Sequence, residues 1–356
     1  MKKKLLSALL VLIFCALFCL PSPAEAVSTS AQSAILMEAG SGRVLYAQGE
    51  LERRSIASTT KLMTALVAAE RCPDFSQIVT VDPAAVGVEG SSLYLKAGEQ
   101  LPLEHLLYGL LLHSGNDAAV AIAIHCAGDV ETFVGWMNEK AQALGMANSH
   151  FENPNGLEGE AHYSCAYDLA LLGKAVVENE TLAPIAATKS ITLGNRSLSN
   201  HNKLLWRYEG CIGLKTGFTK KAGRTLVSAA KRGETTLIAV TLNDGNDWAD
   251  HAALFDYGFS VCHSHLLARG GRDVGLVKVE GSLVPAVGVR VTNDVRYALK
   301  EGEQVTARWD LPKTLPAPVR AGDVVGALTF YWNDKEIGRA ELVAAASVPR
   351  NLRERS

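Results

Sequence analysis

The stretch "SIASTTKLM", residues 55–63, opens with hydroxyl side chains and then becomes apolar. The run of apolar residues continues to Ala69 and predicts a buried helix, and the serine and threonine cluster before it is typical of a helix N-terminus. Ser58 and Lys61 are three residues apart, so they would project from one face of that helix. A hydroxyl beside a desolvated amine is the geometry of a nucleophile with its base. Taken alone, the pair is better explained by an N-cap serine and a lysine that reaches solvent.

Two later triplets change that interpretation. "HSGND", residues 113–117, interrupts two apolar helical segments and places Ser114 and Asn116 on a tight loop. "GLKTGFT", residues 213–219, places Lys215-Thr216-Gly217 just before a predicted β segment. S-x-x-K, S-x-N and K-T-G in this order form a specific set of catalytic motifs.

With these motifs the chain resembles the low-molecular-mass penicillin-binding proteins that are serine-type D-alanyl-D-alanine carboxypeptidases, whose fold is shared with the serine β-lactamases. The resemblance covers nearly the whole chain after residue 26 and includes "ASTTKLMTAL", "HSGNDAAVAIA", "FENPNGL", "HYSCAYDLALL", "GLKTGFTKKAG" and "LPKTLPAPVRAGDVVG". It implies an α/β domain of the serine β-lactamase/transpeptidase type, with helices around an antiparallel sheet, followed by a small all-β domain. The implied activity removes the terminal D-alanine from peptidoglycan pentapeptide stems, with β-lactam antibiotics as covalent inhibitors and with no metal or organic cofactor.

The resemblance also implies a role for each motif residue. Ser58 is the expected nucleophile, Lys61 its base, and Ser114 the group that passes a proton to the departing D-alanine. The expected substrate-binding residues are Asn116, Lys215, Thr216, Gly217, Phe218 and Thr219. Lys61 can act as a base only if its pKa falls well below about 10.4, and burial and the nearby Lys215 both lower it. The backbone N–H groups of Ser58 and Phe218 are expected to stabilise the oxyanion.

One feature of the family pattern is missing. Many relatives carry an arginine soon after the strand that follows K-T-G, where it helps to bind the substrate carboxylate. Here that region reads "TLNDGNDWADH", residues 241–251, and contains no arginine. Carboxylate recognition is therefore expected to depend more on Lys215 and the threonines.

The chain divides into four predicted segments. Three lysines, an apolar run and small residues up to Ala26 are typical of a secretory signal peptide over residues 1–26, and an uncleaved anchor is the alternative. Residues 27–262 form the predicted carboxypeptidase domain, 263–346 a β-rich domain and 347–356 a tail. The β-rich domain is indicated by apolar and polar alternation in "VGLVKVEG", "AVGVRVTND" and "EQVTARWDLP".

Within residues 27–262, the patterns predict strands at both ends of the segment and helices between them. "SAILMEAGSGRVLYAQ" and "RTLVSAAKRGETTLIAVTLND" each predict two strands, so one sheet would take strands from both ends. Helices are predicted on both sides of "HSGND" and in "VETFVGWMNEKAQALGM", "YDLALLGKAVVEN" and "WADHAALFDYGFS".

Composition limits the partners. A formal net charge of −2 gives no indication of a nucleic-acid partner. Five cysteines remain after residue 26, an odd and scattered set that predicts single thiols more than a disulfide framework. No second apolar run of spanning length follows, and "ASVPRNLRERS" cannot form an amphipathic anchor, so we expect an exported protein in the periplasm or cell wall without a stable membrane anchor.

Two other functions stay open at this point. One is a β-lactamase, and the other is a non-catalytic wall-binding protein, which the intact motif serines and lysines disfavour. Glu152 with Asn155 is one residue short of the spacing of the deacylating glutamate in class A β-lactamases, so "ENPNG" is interpreted as a turn. Asp117 is expected to cap the helix that begins near Ala118.

Overall fold

The computed structural model describes residues 27–351, so the predicted signal peptide and the last five residues of the predicted tail lie outside the described residues. The helices are α1 (Lys61–Arg71), α2 (Leu103–Leu112), α3 (Asn116–Ala127), α4 (Val130–Ala143), α5 (Ala166–Glu178), α6 (Leu182–Ala187), α7 (Leu204–Arg207) and α8 (Asp247–Val261). Short 3-10 helices cover Ala57–Thr60 and Pro83–Ala85.

The strands fall into a first group before α8 and a second group after it. The first group is β1 (Ser33–Glu38), β2 (Arg43–Gln48), β3 (Ile78–Thr80), β4 (Gln100–Pro102), β5 (Ser190–Leu193), β6 (Arg196–Ser199), β7 (Cys211–Thr219), β8 (Gly223–Arg232) and β9 (Thr235–Leu242). The second group is β10 (His263–Ala268), β11 (Asp273–Glu280), β12 (Ala286–Val291), β13 (Val295–Leu299), β14 (Thr306–Asp310), β15 (Thr314–Pro316), β16 (Val324–Trp332) and β17 (Lys335–Ala344).

A five-stranded antiparallel sheet organises the first group, in the order β2-β1-β9-β8-β7. β1 pairs with β9, with Ser33 opposite Leu242, so the two ends of the segment meet in one sheet as the sequence predicts. β7, which carries the K-T-G triplet, is an edge strand of this sheet. The segment that carries Ser58 packs against β7 at Gly217, where an added Cβ atom would lie 2.9 Å from the Ser58 nitrogen.

Helices cover both faces of the sheet. Successive residues of a strand point to opposite sides, so each strand contributes apolar side chains to both layers. One face packs against α1 to α6 and includes Ile35, Met37, Val227, Ala229, Ile238 and Val240. The other face packs against Leu254 and Phe255 of α8 and includes Leu36, Leu226, Ala230, Leu237 and Ala239. All six residues of β1 are buried, which explains why its sequence is almost continuously apolar.

The second group of strands forms a separate all-β core. A six-stranded sheet has the order β14-β16-β17-β12-β11-β15, and β10 pairs with β13. The predicted boundary between residues 262 and 263 stays a prediction, and it coincides with the end of α8 and the start of β10. Arg43 of β2 reaches across to this part, where its guanidinium pairs with Glu303 at 2.5 and 2.6 Å.

The structure also bears on the predictions about the cysteines and about membrane-spanning helices. The cysteines at 72, 126, 165, 211 and 262 are all free thiols, although only Cys165 and Cys262 are fully buried. Between residues 27 and 351, no single helix has the length and apolar character to cross a membrane. Within these residues, only the pair of α3 and α4 has the required length and apolar character when the two are taken together, and that pair is bent by 89°.

Candidate active site

Ser58 lies in the 3-10 helix just before α1, at the helix N-terminus that the serine and threonine cluster predicts. The preceding residue, Ala57, is buried and has φ 48°, a left-handed conformation that costs energy for a residue with a Cβ atom. The Ile56 carbonyl in this segment accepts hydrogen bonds from the hydroxyls of Thr59 at 2.7 Å and Thr225 at 3.1 Å. This bonding holds the nucleophile segment against β8.

Lys61, the first residue of α1, is fully buried and lies beside Ser58. Its Nζ is 2.8 Å from Ser58 Oγ and 2.6 Å from Asn116 Oδ1, and it also donates to the backbone carbonyl of Asn155. The Asn116 amide is fixed in orientation because its Nδ2 donates to the Glu89 carbonyl. Two of the three partners of Nζ can only accept, so the lone pair of a neutral Lys61 can face only the Ser58 hydroxyl.

The surroundings of Lys61 lower its pKa and so favour that neutral form. Burial lowers the pKa well below its ordinary value, the positive charge of Lys215 lowers it further, and Asp117 opposes the shift. Burial also lowers the pKa of Lys215 to about 7. Burial and the charge of Lys215 therefore both disfavour the charged form of Lys61, which is the condition that a lysine base needs.

The loop of the S-x-N triplet presents Ser114 to the same site. Ser114 has φ 66°, and among residues 27–351 its hydroxyl has no hydrogen-bond partner. The expectation that Asp117 caps the helix is wrong, because α3 already begins at Asn116 with Gly115 as its N-cap, so Asp117 lies inside the first turn. Its carboxylate accepts from the backbone of Leu93 at 2.9 Å and Leu95 at 3.1 Å, and from the Ser92 hydroxyl at 2.6 Å. Asp117 thereby ties the start of α3 to the loop beside it.

The K-T-G triplet lies inside β7, whereas the sequence pattern predicts it just before a strand. Lys215 is buried, and its Nζ donates to the Thr216 carbonyl at 2.9 Å. Gly217 faces the nucleophile segment so closely that an added Cβ atom would lie 2.9 Å from the Ser58 nitrogen. Phe218 is exposed. The Thr219 hydroxyl donates to Glu158 and accepts from the Ala222 N–H, so the substrate-binding role expected for Thr219 stays a prediction.

The segment "ENPNG" contributes to the site in a way that its sequence does not reveal. This segment is a turn, as expected, but the Asn155 carbonyl in it is one of the three acceptors of Lys61. Gly156 has φ 84°, and an added Cβ would lie 2.0 Å from the Ala57 carbonyl oxygen, so only glycine permits this approach. The Glu152 carboxylate accepts from the Ala161 N–H at 3.0 Å and does not contact Lys61. The Asn-Pro-Asn-Gly composition indicates a tight turn but not its partner.

A cavity of about 510 Å³ opens between these elements. Of the predicted site residues, Ser58, Ser114, Thr216, Gly217 and Phe218 line it, while Lys61, Asn116 and Lys215 lie buried behind its wall. The lining also includes Arg224, Asp247 and Trp248, which the sequence analysis did not predict. Arg224 could have been predicted from the register of the β7–β8 hairpin, because that register places it opposite Phe218.

An antiparallel sheet between two helical layers, with a serine and a buried lysine beside its edge strand, defines the serine β-lactamase/transpeptidase class of folds. The comparisons with known proteins narrow this class. The family model described as D-alanyl-D-alanine carboxypeptidase matches residues 21–246, and the model of the penicillin-binding protein 5 C-terminal domain matches residues 264–350. The chain therefore belongs to the D-alanyl-D-alanine carboxypeptidase family, and the family and fold predicted from the motifs are confirmed.

Individual relatives agree with this assignment. D-alanyl-D-alanine carboxypeptidase DacF of Bacillus subtilis is 32% identical over 364 residues, which cover 96% of this chain and 94% of the relative. D-alanyl-D-alanine carboxypeptidase DacA of Escherichia coli is 34% identical over 338 residues, which cover 90% of this chain and 84% of the relative. The crystal structure of penicillin binding protein 5 from Haemophilus influenzae superposes with a TM-score of 0.77 at 29% identity and covers 93% of this chain and all of that one.

Proposed function

We propose that this protein is a serine-type D-alanyl-D-alanine carboxypeptidase that removes the terminal D-alanine from peptidoglycan stem peptides through an acyl-enzyme on Ser58. Membership in the carboxypeptidase family supports the reaction class. The observation that supports the residue roles is the fully buried Lys61 Nζ, which lies 2.8 Å from Ser58 Oγ. β-Lactam antibiotics, which present a reactive amide to the same serine, are the expected covalent inhibitors.

Acylation begins when neutral Lys61 takes the proton of the Ser58 hydroxyl. Ser58 Oγ then forms a bond to the carbonyl carbon of the penultimate D-alanine, and the carbonyl oxygen becomes an oxyanion. The N–H groups of Ser58 and Phe218 are the proposed donors to that oxyanion, and one such donor contributes about 3 kcal/mol. The close approach of β7 to the nucleophile backbone supports this role, since a Cβ atom added at Gly217 would lie 2.9 Å from the Ser58 nitrogen.

Departure of D-alanine requires a proton on its amine nitrogen. The unpartnered Ser114 hydroxyl borders the cavity and is the proposed carrier of that proton from Lys61 to the leaving group. Its left-handed backbone conformation supports this proposal, because such strain is concentrated at functional positions. Water then attacks the ester on Ser58 while Lys61 takes a proton from that water. The bond between the acyl carbon and Ser58 Oγ breaks, Lys61 returns the proton to Oγ, and the shortened peptide leaves.

The test is covalent labelling with a fluorescent penicillin, together with D-alanine release from a peptide that ends in D-Ala-D-Ala. We expect a lasting adduct on the peptide that contains Ser58, and Ser58→Ala should abolish both labelling and release. Ser55→Ala is the matched control, because Ser55 lies in the same segment but donates to the exposed Glu158 carboxylate at 3.0 Å. Labelling that persists in Ser58→Ala would contradict the proposal, and rapid turnover of the drug without an adduct would indicate the β-lactamase alternative.

The proposed site of action is outside the cytoplasmic membrane, in the periplasm or cell wall, where peptidoglycan is exposed. The lysines, apolar run and small residues of segment 1–26 support export with cleavage after Ala26. This part of the proposal rests on the sequence, because segment 1–26 lies outside the described residues.

A further inference from the structure

The cavity beside Ser58 contains an arginine although the region where many relatives carry one has none. Residues 241–251 lack arginine, and Asp247 and Trp248 of that region line the cavity. The arginine that lines it, Arg224, comes instead from the start of β8, where it pairs in register with Phe218. A strand next to the edge strand has therefore brought a guanidinium to the cavity.

Arg224 is held in a defined orientation. Its Nε is 3.1 Å from Asp247 Oδ2 and its Nη2 is 2.5 Å from Asp247 Oδ1, and the Asp247 side chain is only 4% exposed. Its guanidinium carbon also lies 5.4 Å from the centre of the Trp248 ring. Within residues 27–351 the remaining nitrogen, Nη1, has no hydrogen-bond partner. A guanidinium has five N–H donors, so three are left for a ligand on the side away from Asp247.

The other basic groups near the cavity are less suited to bind an anion. Lys215 is buried, donates to the Thr216 carbonyl and, with a pKa of about 7, is only partly charged at neutral pH. Burial lowers the pKa of His201 to about 4, so this lining residue is neutral. Among the lining residues in the described part of the chain, Arg224 alone carries a permanent positive charge.

We infer that Arg224 receives the terminal carboxylate of the substrate and that Asp247 positions it for this contact. The inference rests on the proposed carboxypeptidase function and names a residue that selects substrates with a free carboxyl terminus. Arginine suits this role because its planar fork matches both oxygens of a carboxylate. Asp247 occupies one edge of the guanidinium, so the unused edge is the one available to the substrate.

The alternative is that the Arg224–Asp247 pair only ties β8 to the start of α8. Two D-alanyl thioester substrates distinguish these roles. The leaving group of the first is mercaptoacetate, and the leaving group of the second is the methyl ester of mercaptoacetate. The two differ only in the carboxylate, and thioesters are reactive enough for the neutral substrate to be measured. A carboxylate-binding residue affects the ratio of their kcat/KM values, whereas a purely structural residue lowers both values together.

We expect the full-length wild-type protein to prefer the carboxylate substrate and Arg224→Ala to lower that preference by about 10- to 100-fold, the usual effect of losing a hydrogen bond to a charged group. Arg232→Ala is the matched control, because Arg232 lies on the same strand and pairs with Asp256 at 3.3 Å but does not line the cavity. It should leave the preference unchanged. If Arg224→Ala does not fold, Arg224→Gln tests the same point, since its amide can donate to Asp247 without a charge.

An unchanged preference in the folded Arg224 variants would overturn the inference. Failure of the proposed function is distinguishable from this outcome, because the wild type would then release no D-alanine and carry no penicillin on Ser58.

Discussion

Gly217→Ala tests whether β7 must lie in contact with the nucleophile segment. The φ angle of Gly217 is not in the left-handed region, so alanine is not strained by the backbone there. The added Cβ would instead lie 2.4 Å from Thr225 Oγ1, 2.9 Å from the Ser58 nitrogen and 3.2 Å from Ala57 Cβ. The substitution therefore adds one methyl group at the junction between the edge strand and the nucleophile.

The size of the effect follows from these distances. Ordinary contacts begin at 3.4 Å, so β7 and the segment of Ser58 must separate by about 0.5 Å. The Thr225 hydroxyl, which bonds to the Ile56 carbonyl, must move by about 1 Å. A misplacement of about 1 Å at a catalytic site costs about 100-fold in rate. Overpacking of this kind destabilises the fold by about 1 to 3 kcal/mol.

The assay is the second-order rate constant for acylation by a fluorescent penicillin, measured alongside urea unfolding so that the rate refers to folded protein. Gly245→Ala is the matched control, because Gly245 also lacks a left-handed φ and an added Cβ there meets no atom within 4 Å. We expect about a 100-fold slower acylation for Gly217→Ala and no change for Gly245→Ala. Acylation of Gly217→Ala at the wild-type rate would refute the proposed contact between β7 and the oxyanion site.

Two further predictions concern the lysines and the N-terminus. Lys61→Arg should lower penicillin acylation by about 1,000-fold, because a guanidinium cannot serve as a base. Lys215 is not the proposed base, so Lys215→Arg should retain more activity. Equal losses in labelling would mean that the two roles are wrongly divided. N-terminal sequencing of the native protein should begin at Val27, and a mature chain that still begins at Met1 would contradict cleavage after Ala26.

The sequence alone determines the elements and the motif residues that they carry. Apolar periodicity predicts α1 and the strands β8 and β9, and the structure contains each of them. The Ser58–Lys61 contact is also local, since three residues of helical or 3-10 backbone suffice to bring the two side chains together. The order of the three triplets then identifies the family, because residue types and their order can be read without knowledge of the fold.

Only the tertiary structure decides which distant groups complete the site. The Asn155 carbonyl that binds Lys61 is 94 residues away in sequence, and a backbone carbonyl has no residue type that a pattern could reveal. The role of Arg224 depends on hairpin register and on Asp247, which is 23 residues away on another element. The pKa of Lys215 likewise falls to about 7 because packing buries it. Local patterns report backbone period and burial, whereas these contacts arise from the way the sheet and helices meet.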